Sequence, residues 1–237
     1  MLPLARLGCQ LILAGDPECQ LLAISDVGPD GKDLTRDISD SVMLKSAVGF
    51  KRLRLTESHR SDPVLFAWYS SMAPGGSRAD WSLEELLAQA RIDFPARGKG
   101  EYHLCVSHNT RKHINKLVRR QRARKERNLR LEGKPPQGPS MLIQRGVRLI
   151  CCLETSKQGL FNSQLLTCTG FDAKTVSLKC DDTGAEHQVS HQFVQEKTRL
   201  GFCFTIASAQ GRTLSDVAIW DTKHTRFSKR HVFTCLS

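Results

Sequence analysis

The 237-residue sequence lacks several patterns, and each absence excludes a class of protein. Its nine cysteines are odd in number and none are spaced as C-x-x-C, so neither a disulfide framework nor a cysteine zinc site is predicted. No apolar run approaches the roughly 18 residues that a membrane-spanning helix needs, so we expect no membrane partner. The apolar run 11–14 ends at Gly15 and follows only one arginine, which argues against a signal peptide. We expect an intracellular protein with reduced thiols, whether nuclear, cytoplasmic or viral.

The sequence also contains no G-x-x-x-x-G-K-[ST] segment, the loop that cradles the phosphates of a nucleotide. No Asp-Glu strand that could hold Mg²⁺ precedes Gly15. The isolated chain is therefore expected not to hydrolyse ATP. A metal site is not expected either. His187 and His191 are four residues apart, as zinc ligands on a helix would be, but polar and apolar residues alternate in their segment as they do in a strand.

What the sequence does have is a globular composition, with 40% hydrophobic and 25% charged residues, and a formal net charge of +11. The charge is concentrated in residues 111–134, where eleven Lys and Arg face two Glu, a net +9. A local excess of cations favours a polyanion partner, because binding to phosphates releases counterions. A solvated, charged helix face is the alternative interpretation of the same run.

Hydrophobic periodicity predicts an α/β architecture interrupted by a β-rich segment. Ser82 is a plausible N-cap of a helix that reaches about Arg91, residues 102–106 are predicted to form a buried strand, and the basic run 111–134 is predicted to be helical. Short β-rich runs separated by turns then predict a small β-barrel. These runs cover residues 147–153, 164–169, 175–180 and 188–194. Residues 200–220 are predicted to form a strand, a polar loop and a second strand.

Candidate site residues follow the predicted strands, where ligands bind in open α/β sheets. Gly15 and Asp16 come directly after the first apolar run, and an ordinary turn would explain them as well. Ser107 and Asn109 follow the strand at 102–106, where capping of the next helix is an equal explanation. Thr205 ends a later apolar run.

These segments resemble motifs of superfamily 1 helicases of the Pif and RecD types. Residues 15–21 (GDPECQL) are similar to G-D-x-x-Q-L with one extra residue, and residues 55–61 (LTESHRS) are similar to L-x-x-x-x-R-S. Residues 205–213 (TIASAQGRT) match T-x-x-x-x-Q-G-x-T, although Ala207 and Ser208 stand where the family has His or Asn and then Lys. Residues 232–237 resemble the start of the closing strand-end motif, aromatic-T-A-x-S-R.

The β-rich segment resembles the SH3-like barrel that these helicases insert before the T-x-x-x-x-Q-G loop. Gly146 opens a G-x-x-V strand motif, and residues 159–163 (GLFNS) are similar to a G-L-x-N-G turn, with Ser163 in place of its last glycine. The resemblance implies a fold of class α/β, a RecA-like parallel-sheet domain with an inserted small SH3-like β-barrel. The implied segments are 1–25 (last strand of a first RecA-like domain), 26–100 (connecting segment and start of the second), 101–140 (second domain with the basic helix), 141–197 (barrel) and 198–237 (end of the second domain).

The resemblance also implies roles for individual residues. Gly15, Asp16, Gln20 and Arg60 would lie at the nucleotide, and Gln20 and Arg60 would be catalytic, since an arginine at the γ-phosphate stabilises charge on the transferred group. The residues implied or favoured for nucleic-acid contact are Ser107, Asn109, Arg119, Arg120, Thr205, Gln210 and Gly211.

The implied function is that of the C-terminal portion of an ATP-dependent DNA helicase. Such a portion binds single-stranded DNA, or RNA, and works with a first RecA-like domain supplied in cis or in trans. ATP and Mg²⁺ would be cofactors of the complete enzyme, and neither is expected to bind tightly to this chain alone. The alternative is a non-enzymatic or degenerate accessory protein that binds nucleic acid.

Overall fold

The structure, a computed structural model, describes residues 61–95, 100–123, 129–132, 140–153 and 159–237, together with the isolated residues Leu21, Val42, Ser46 and Gly98. In chain order its helices are α1 (Pro63–Ser70), α2 (Leu83–Asp93), α3 (His108–Ala123), α4 (His191–Lys197), α5 (Ile206–Ala209) and α6 (Lys229–Leu236). Its strands are β1 (Tyr102–Cys105), β2 (Leu129–Leu131), β3 (Met141–Ile143), β4 (Arg148–Cys151), β5 (Leu165–Phe171), β6 (Thr175–Cys180), β7 (Glu186–Ser190), β8 (Thr198–Leu200), β9 (Cys203–Thr205) and β10 (Val217–Ile219).

The chain divides into two units, which we call the helical unit and the sheet unit. The described part of the helical unit comprises residues 61–95, Ile206–Thr213 and Thr222–Ser237, and it holds α1, α2, α5 and α6. The sheet unit comprises the described residues within Gly100–Thr205 together with Leu214–Asp221, and it holds α3, α4 and the strands β1 to β10.

In the helical unit, side-chain caps fix where the first helices begin. Asp62 Oδ1 accepts hydrogen bonds from the backbone N–H groups of Val64 and Leu65, both at 3.0 Å. Ser82 forms a capping box with Glu85: its hydroxyl accepts from Glu85 N at 3.2 Å, and its own N–H donates to Glu85 Oε2 at 2.7 Å. The predicted N-cap at Ser82 is confirmed.

The closing segment of the chain is helical, so the predicted strand end at residues 232–237 is wrong. Ser228 is the N-cap of α6; its backbone N–H donates to Nδ1 of His231 at 3.2 Å, and its hydroxyl lies 2.8 Å from the same nitrogen. Val232 and Phe233 are buried, and the Phe233 ring packs edge-on against that of Tyr69 at 5.3 Å. A cap followed by apolar residues on one side stabilises a helix here.

The sheet unit contains a three-stranded parallel sheet in the order β10-β1-β9. All four residues of β1 are buried, which confirms the predicted buried strand. Helix α3 packs across β1 and β9 and forms a small core with them, made of Cys105, Ile114 and Cys203. This sheet confirms the expected parallel arrangement.

The predicted basic helix is shorter than expected. Helix α3 ends at Ala123, and β2 lies within the segment that was predicted to be helical up to residue 134. β2 pairs with β3 in an antiparallel hairpin, and Leu131 is buried. The Leu-Arg-Leu alternation of β2 has the period of a strand, which buries one side of the hairpin.

A five-stranded antiparallel sheet, in the order β7-β6-β5-β4-β8, occupies most of the segment predicted to be a barrel. Among the described residues its pairings leave β7 and β8 as two edges, so no closed barrel is found. The run predicted as a strand at 188–194 ends at Ser190, whose hydroxyl accepts from Phe193 N and begins α4. The predicted polar loop after Thr205 is likewise a short helix, α5.

No helix among the described residues combines the length and the apolar character that crossing a bilayer requires. In the same part of the chain, no group of three or more His, Cys, Asp or Glu side chains is placed to hold a metal ion.

Candidate nucleic-acid interface

The residues predicted to contact the nucleotide cannot be placed. Gly15, Asp16, Gln20 and Arg60 lie outside the described residues. Their assignment to ATP stays a prediction, and the site described below is built from residues predicted to contact nucleic acid.

In the sheet unit, predicted site residues meet at the carboxyl edge of the parallel sheet. The last residues of β1 and β9, Cys105 and Thr205, are paired in register. Ser107 follows β1 by two residues, so it lies at the same edge as Thr205, whose side chain is buried. Asn109 is the second residue of α3 and is exposed. The structure therefore brings Ser107, Asn109 and Thr205 to one edge of the sheet.

Ser107 acts as a cap for α3, as one of the two sequence interpretations expected. Its hydroxyl accepts a hydrogen bond from Thr110 N at 3.1 Å and donates to Thr110 Oγ1 at 2.9 Å. Such a bond satisfies one of the N–H groups that a helix leaves unpaired at its start. A phosphate contact by Ser107 would have to share this hydroxyl.

Helix α3 carries cations and no acidic residue. Lys112, Lys116 and Arg120 are exposed and spaced four residues apart, so they lie along one stripe of the helix, which we call the cation row. At 1.5 Å per residue the row extends over roughly 12 Å. Its charges face water, and an anionic chain can reach them without rearrangement of the fold.

Two other arginines of α3, Arg119 and Arg122, have partners inside the sheet unit. Arg119 Nη1 donates to the carbonyl of Ser140 at 3.3 Å, and the Arg122 guanidinium lies 4.7 Å from the ring centre of Phe202. Burial lowers the pKa of Arg119 and of Arg111 from the ordinary value, yet an arginine starting so high stays charged at neutral pH. The two predicted contact residues therefore differ: Arg120 is exposed, whereas Arg119 is partly buried and bonds within the sheet unit. The predicted nucleic-acid contact of each stays a prediction.

Asn115 has a role that sequence reasoning missed. Its side chain is buried and bridges α3 to the start of β9 through three hydrogen bonds. Nδ2 donates to the carbonyl of Cys203 at 3.1 Å, while Oδ1 accepts from Phe202 N at 3.0 Å and from Cys203 N at 3.1 Å. The clue in the sequence was the position of Asn115: it stands next to Ile114, on the apolar side of the predicted helix.

Trp220, which follows β10, was also not predicted as a site residue. Its indole Nε1–H donates to Nδ1 of buried His103 at 3.1 Å, yet 42% of the residue is exposed. Burial, and next the nearby Arg122, lower the pKa of His103, while Asp216 opposes them. His103 is therefore neutral at pH 7 and its Nδ1 can accept the bond.

In the helical unit, Gln210 and Gly211 form the turn that ends α5. Gln210 N donates to the carbonyl of Ile206 at 3.2 Å, and its side chain is exposed. Gly211 has φ +82°, a conformation that favours glycine after a helix. Gly211 of the predicted motif thus allows the left-handed backbone conformation that this turn requires.

No protein-family model matches the sequence, and no curated protein matches it. The fold does match solved structures. A Pif1 helicase from the structure of two coordinating Pif1 helicases at forked dsDNA aligns over 77% of this chain and 46% of its own, with 18% identity and a TM-score of 0.51. Pif1 from Bacteroides with ADP-AlF3 and ssDNA aligns over 78% and 48%, with 17% identity and a TM-score of 0.53.

Bacteroides Pif1 bound to ssDNA aligns over 77% of this chain and 48% of its own, with 17% identity and a TM-score of 0.50. The chain thus spans about half the length of these helicases. At such identities the likeness establishes the fold: this chain shares the architecture of the aligned half of Pif1 helicases. The resemblance inferred from the motifs is confirmed at that level.

Proposed function

We propose that this chain is the C-terminal, nucleic-acid-binding portion of an ATP-dependent helicase of the Pif type. The observation that carries the proposal is the cation row, Lys112, Lys116 and Arg120, on the helix that starts at the carboxyl edge of the parallel sheet. Two of the Pif1 structures with this fold contain ssDNA, which supports single-stranded DNA as the partner, with RNA as a possible substitute.

Phosphate contacts explain why the cations are arranged as they are. A flexible single strand offers one negative charge per nucleotide, and exposed cations in a row gain affinity through counterion release. Ser107, Asn109 and Thr205 would add hydrogen bonds to sugar and phosphate at the sheet edge. In the helical unit, Gln210 and Gly211 keep their predicted role as nucleic-acid contacts.

The rest of the predicted enzyme is part of the same proposal. The antiparallel sheet, with residues 141–197 as its predicted bounds, would be the SH3-like insertion of the family. Gly15, Asp16, Gln20 and Arg60 would lie at the ATP once a first RecA-like domain, in cis or in trans, supplies the phosphate loop, and Mg²⁺ would be a cofactor of that complete enzyme. This chain alone is expected to bind nucleic acid without hydrolysing ATP.

Titration of a fluorescently labelled single-stranded oligonucleotide tests the proposal. The variant Lys112→Glu/Lys116→Glu/Arg120→Glu should lose most of its affinity, and the log–log salt slope should become shallower by roughly 2, since each phosphate contact contributes about 0.7. A matched control is Lys174→Glu/Lys179→Glu/Lys197→Glu, which changes the net charge equally on exposed lysines of the antiparallel sheet and α4. It should keep the parent slope.

Equal affinity and slope in the two triple variants would show that the cation row is only a solvated helix face. The catalytic half of the proposal has a separate test. Nucleic-acid-stimulated phosphate release by the purified chain, abolished by Arg60→Ala, would contradict the expected inactivity. A neighbouring reading frame that encodes G-x-x-x-x-G-K-[ST] would favour an active helicase over an accessory protein.

A further inference from the structure

We propose that Trp220 is a stacking platform for a base of single-stranded nucleic acid, held in position by His103. The inference rests on the proposed function, and it names a contact to the bases where the cation row supplies contacts to phosphates. Three observations carry it: the position of Trp220 in the sheet, its exposure, and the hydrogen bond that fixes its ring.

The sheet register places Trp220 on the face that α3 covers. Ile219 pairs with Leu104, and Trp220 N donates to the carbonyl of Leu104 at 2.8 Å, so Trp220 comes level with Cys105. Cys105 packs against Ile114 of α3, and His103, two residues before it, shares its face of β1. Trp220 contacts His103, so the indole and α3 lie on the same side of the parallel sheet.

The indole is fixed but not covered. Its N–H edge is bonded to His103, and the two rings meet edge-on at 68° with their centres 5.9 Å apart. With its polar group satisfied, the exposed 42% of Trp220 offers a large apolar surface to the solvent. An aromatic ring held this way loses little conformational entropy when a base stacks on it, which favours binding.

The ligand this geometry suits is an unpaired base next to a phosphate chain. Proteins that bind single strands combine cationic grooves with aromatic rings, and stacking tolerates any base because every base has a π-face. Phe161 is also exposed, at 57%, but it lies in the turn before β5 of the antiparallel sheet. Trp220 shares its face of the parallel sheet with α3, so it is the residue that can take a base while the helix takes the backbone.

The experiment uses Trp220 as its own reporter. The chain has three tryptophans, so Trp68→Phe/Trp81→Phe leaves Trp220 as the sole indole, in a protein whose fold is checked by circular dichroism. Short oligothymidylate should quench its emission with the same midpoint as the anisotropy of a labelled strand. In the parent sequence, Trp220→Ala should weaken binding by about tenfold, a loss typical of one stacked base.

Two further readouts separate stacking from a structural role. Trp220→Ala should leave the salt slope unchanged, because no phosphate contact is lost. The same substitution should not alter the affinity for an abasic strand of equal length, which offers phosphates and no bases. Trp220→Phe should retain much of the affinity, and the control Phe161→Ala should match the parent.

The outcomes distinguish this inference from the proposed function. If the labelled strand fails to bind even at low salt, the proposed function fails and the platform with it. If binding depends on the cation row but Trp220 emission does not change and Trp220→Ala binds normally, the platform is wrong and the proposed function stands. An equal loss for the abasic and the normal strand would show that Trp220 acts only through the fold.

Discussion

The two sheets of the sheet unit are stabilised in different ways. The antiparallel sheet packs on an extensive apolar core that includes Leu149, Leu166 and Leu178, and in β6 alternate residues are buried. The core between α3 and the parallel sheet is small, with Cys105, Ile114 and Cys203 as its buried members. Around the parallel sheet three polar residues are also buried, His103 in β1, Asn115 in α3 and Thr205 in β9, whereas the described strands of the antiparallel sheet bury one, Thr198 in β8.

The difference shows where this fold relies on burial and where it relies on directed bonds. Apolar burial stabilises without regard to direction, whereas hydrogen bonds from buried amides fix one element against another. The proposed binding residues belong to the second kind of structure. The predictions below test this contrast, beginning with the largest expected effect.

Truncation of the antiparallel core should give the greatest loss of stability. Leu178 is fully buried in β6, so Leu178→Ala should lower the free energy of unfolding by about 3–4 kcal/mol through lost burial and the cavity left behind. Leu117→Ala, on the surface of α3, serves as the control and should cost less than about 1 kcal/mol. Urea unfolding measures both, and similar losses would refute a core centred on this sheet.

Removal of the Asn115 side chain should be the next largest effect. Asn115→Ala leaves the N–H groups of Phe202 and Cys203 without their acceptor. An unpaired buried group costs about 1–3 kcal/mol, so two such groups at the low end of that range give an expected loss of about 2–3 kcal/mol. Asn109→Ala, at an exposed position of the same helix, should be nearly neutral. If the two substitutions cost the same, the parallel sheet does not depend on the directed bonds described above.

A third prediction concerns the entry into β1. Gly100 has φ +73°, and a Cβ added there would lie 2.7 Å from Cβ of Ala218. Gly100→Ala combines an unfavourable backbone conformation with a clash, so a loss of about 2 kcal/mol is expected. Gly98→Ala is the matched control, since a Cβ there meets nothing within 4 Å. A neutral Gly100→Ala would show that β10 can move away from β1 at little cost.

The sequence predicted those features that depend on local patterns. Apolar composition identified β1, a polar residue before an amphipathic run identified the cap at Ser82, and the motif order pointed to the fold confirmed by the Pif1 structures. The errors came where short local patterns are ambiguous. Residues after Ser190 and Ser228 were interpreted as strands because the caps that start α4 and α6 were not recognised.

Functional detail was less predictable because it depends on contacts between distant residues. Arg119 and Arg120 are neighbours with the same chemistry, and the carbonyl of Ser140 distinguishes them. The pairing of Trp220 with His103 spans 117 positions of the chain and leaves no local signal. A contact of this kind depends on which residues of β1 and β10 are paired, and that pairing is known only once the sheet is assembled.

Acidification should weaken the parallel sheet more than the antiparallel one. Burial and Arg122 lower the pKa of His103, so the unfolded chain takes up this proton more readily than the folded one. The stability that neutral His103 contributes is thus complete above the pKa of the histidine in the unfolded chain, about 6.5, and it is lost as the pH falls below that pKa. The loss should be smaller than that from Asn115→Ala, because one hydrogen bond, from Trp220, is affected.

Urea unfolding at about pH 7.5 and about pH 5.5 measures this dependence. His103→Gln should reduce the loss between the two pH values. Burial also lowers the pKa of His231, and its contribution has the same sign, but it is present in both proteins and cancels in the comparison. An unchanged pH dependence in His103→Gln would show that the ring is not protonated on unfolding in this range.

The smallest effect is expected in the antiparallel sheet, and it is a gain. Ser163 has φ +65°, a left-handed conformation that costs a residue with a Cβ about 1 kcal/mol, and the resembling G-L-x-N-G turn has glycine at this position. Ser163→Gly keeps the backbone bond from Ser163 N to the carbonyl of Cys151, 2.9 Å long. Glycine also raises the entropy of the unfolded chain, so the net gain should be about 0.5 kcal/mol.

Ser163→Ala, which retains the Cβ, should give no gain. Thermal unfolding resolves the pair, and a destabilised Ser163→Gly would mean that the hydroxyl contributes more than the strain costs. Because the turn lies in the antiparallel sheet and the cation row on α3, oligonucleotide affinity should stay the same in both variants.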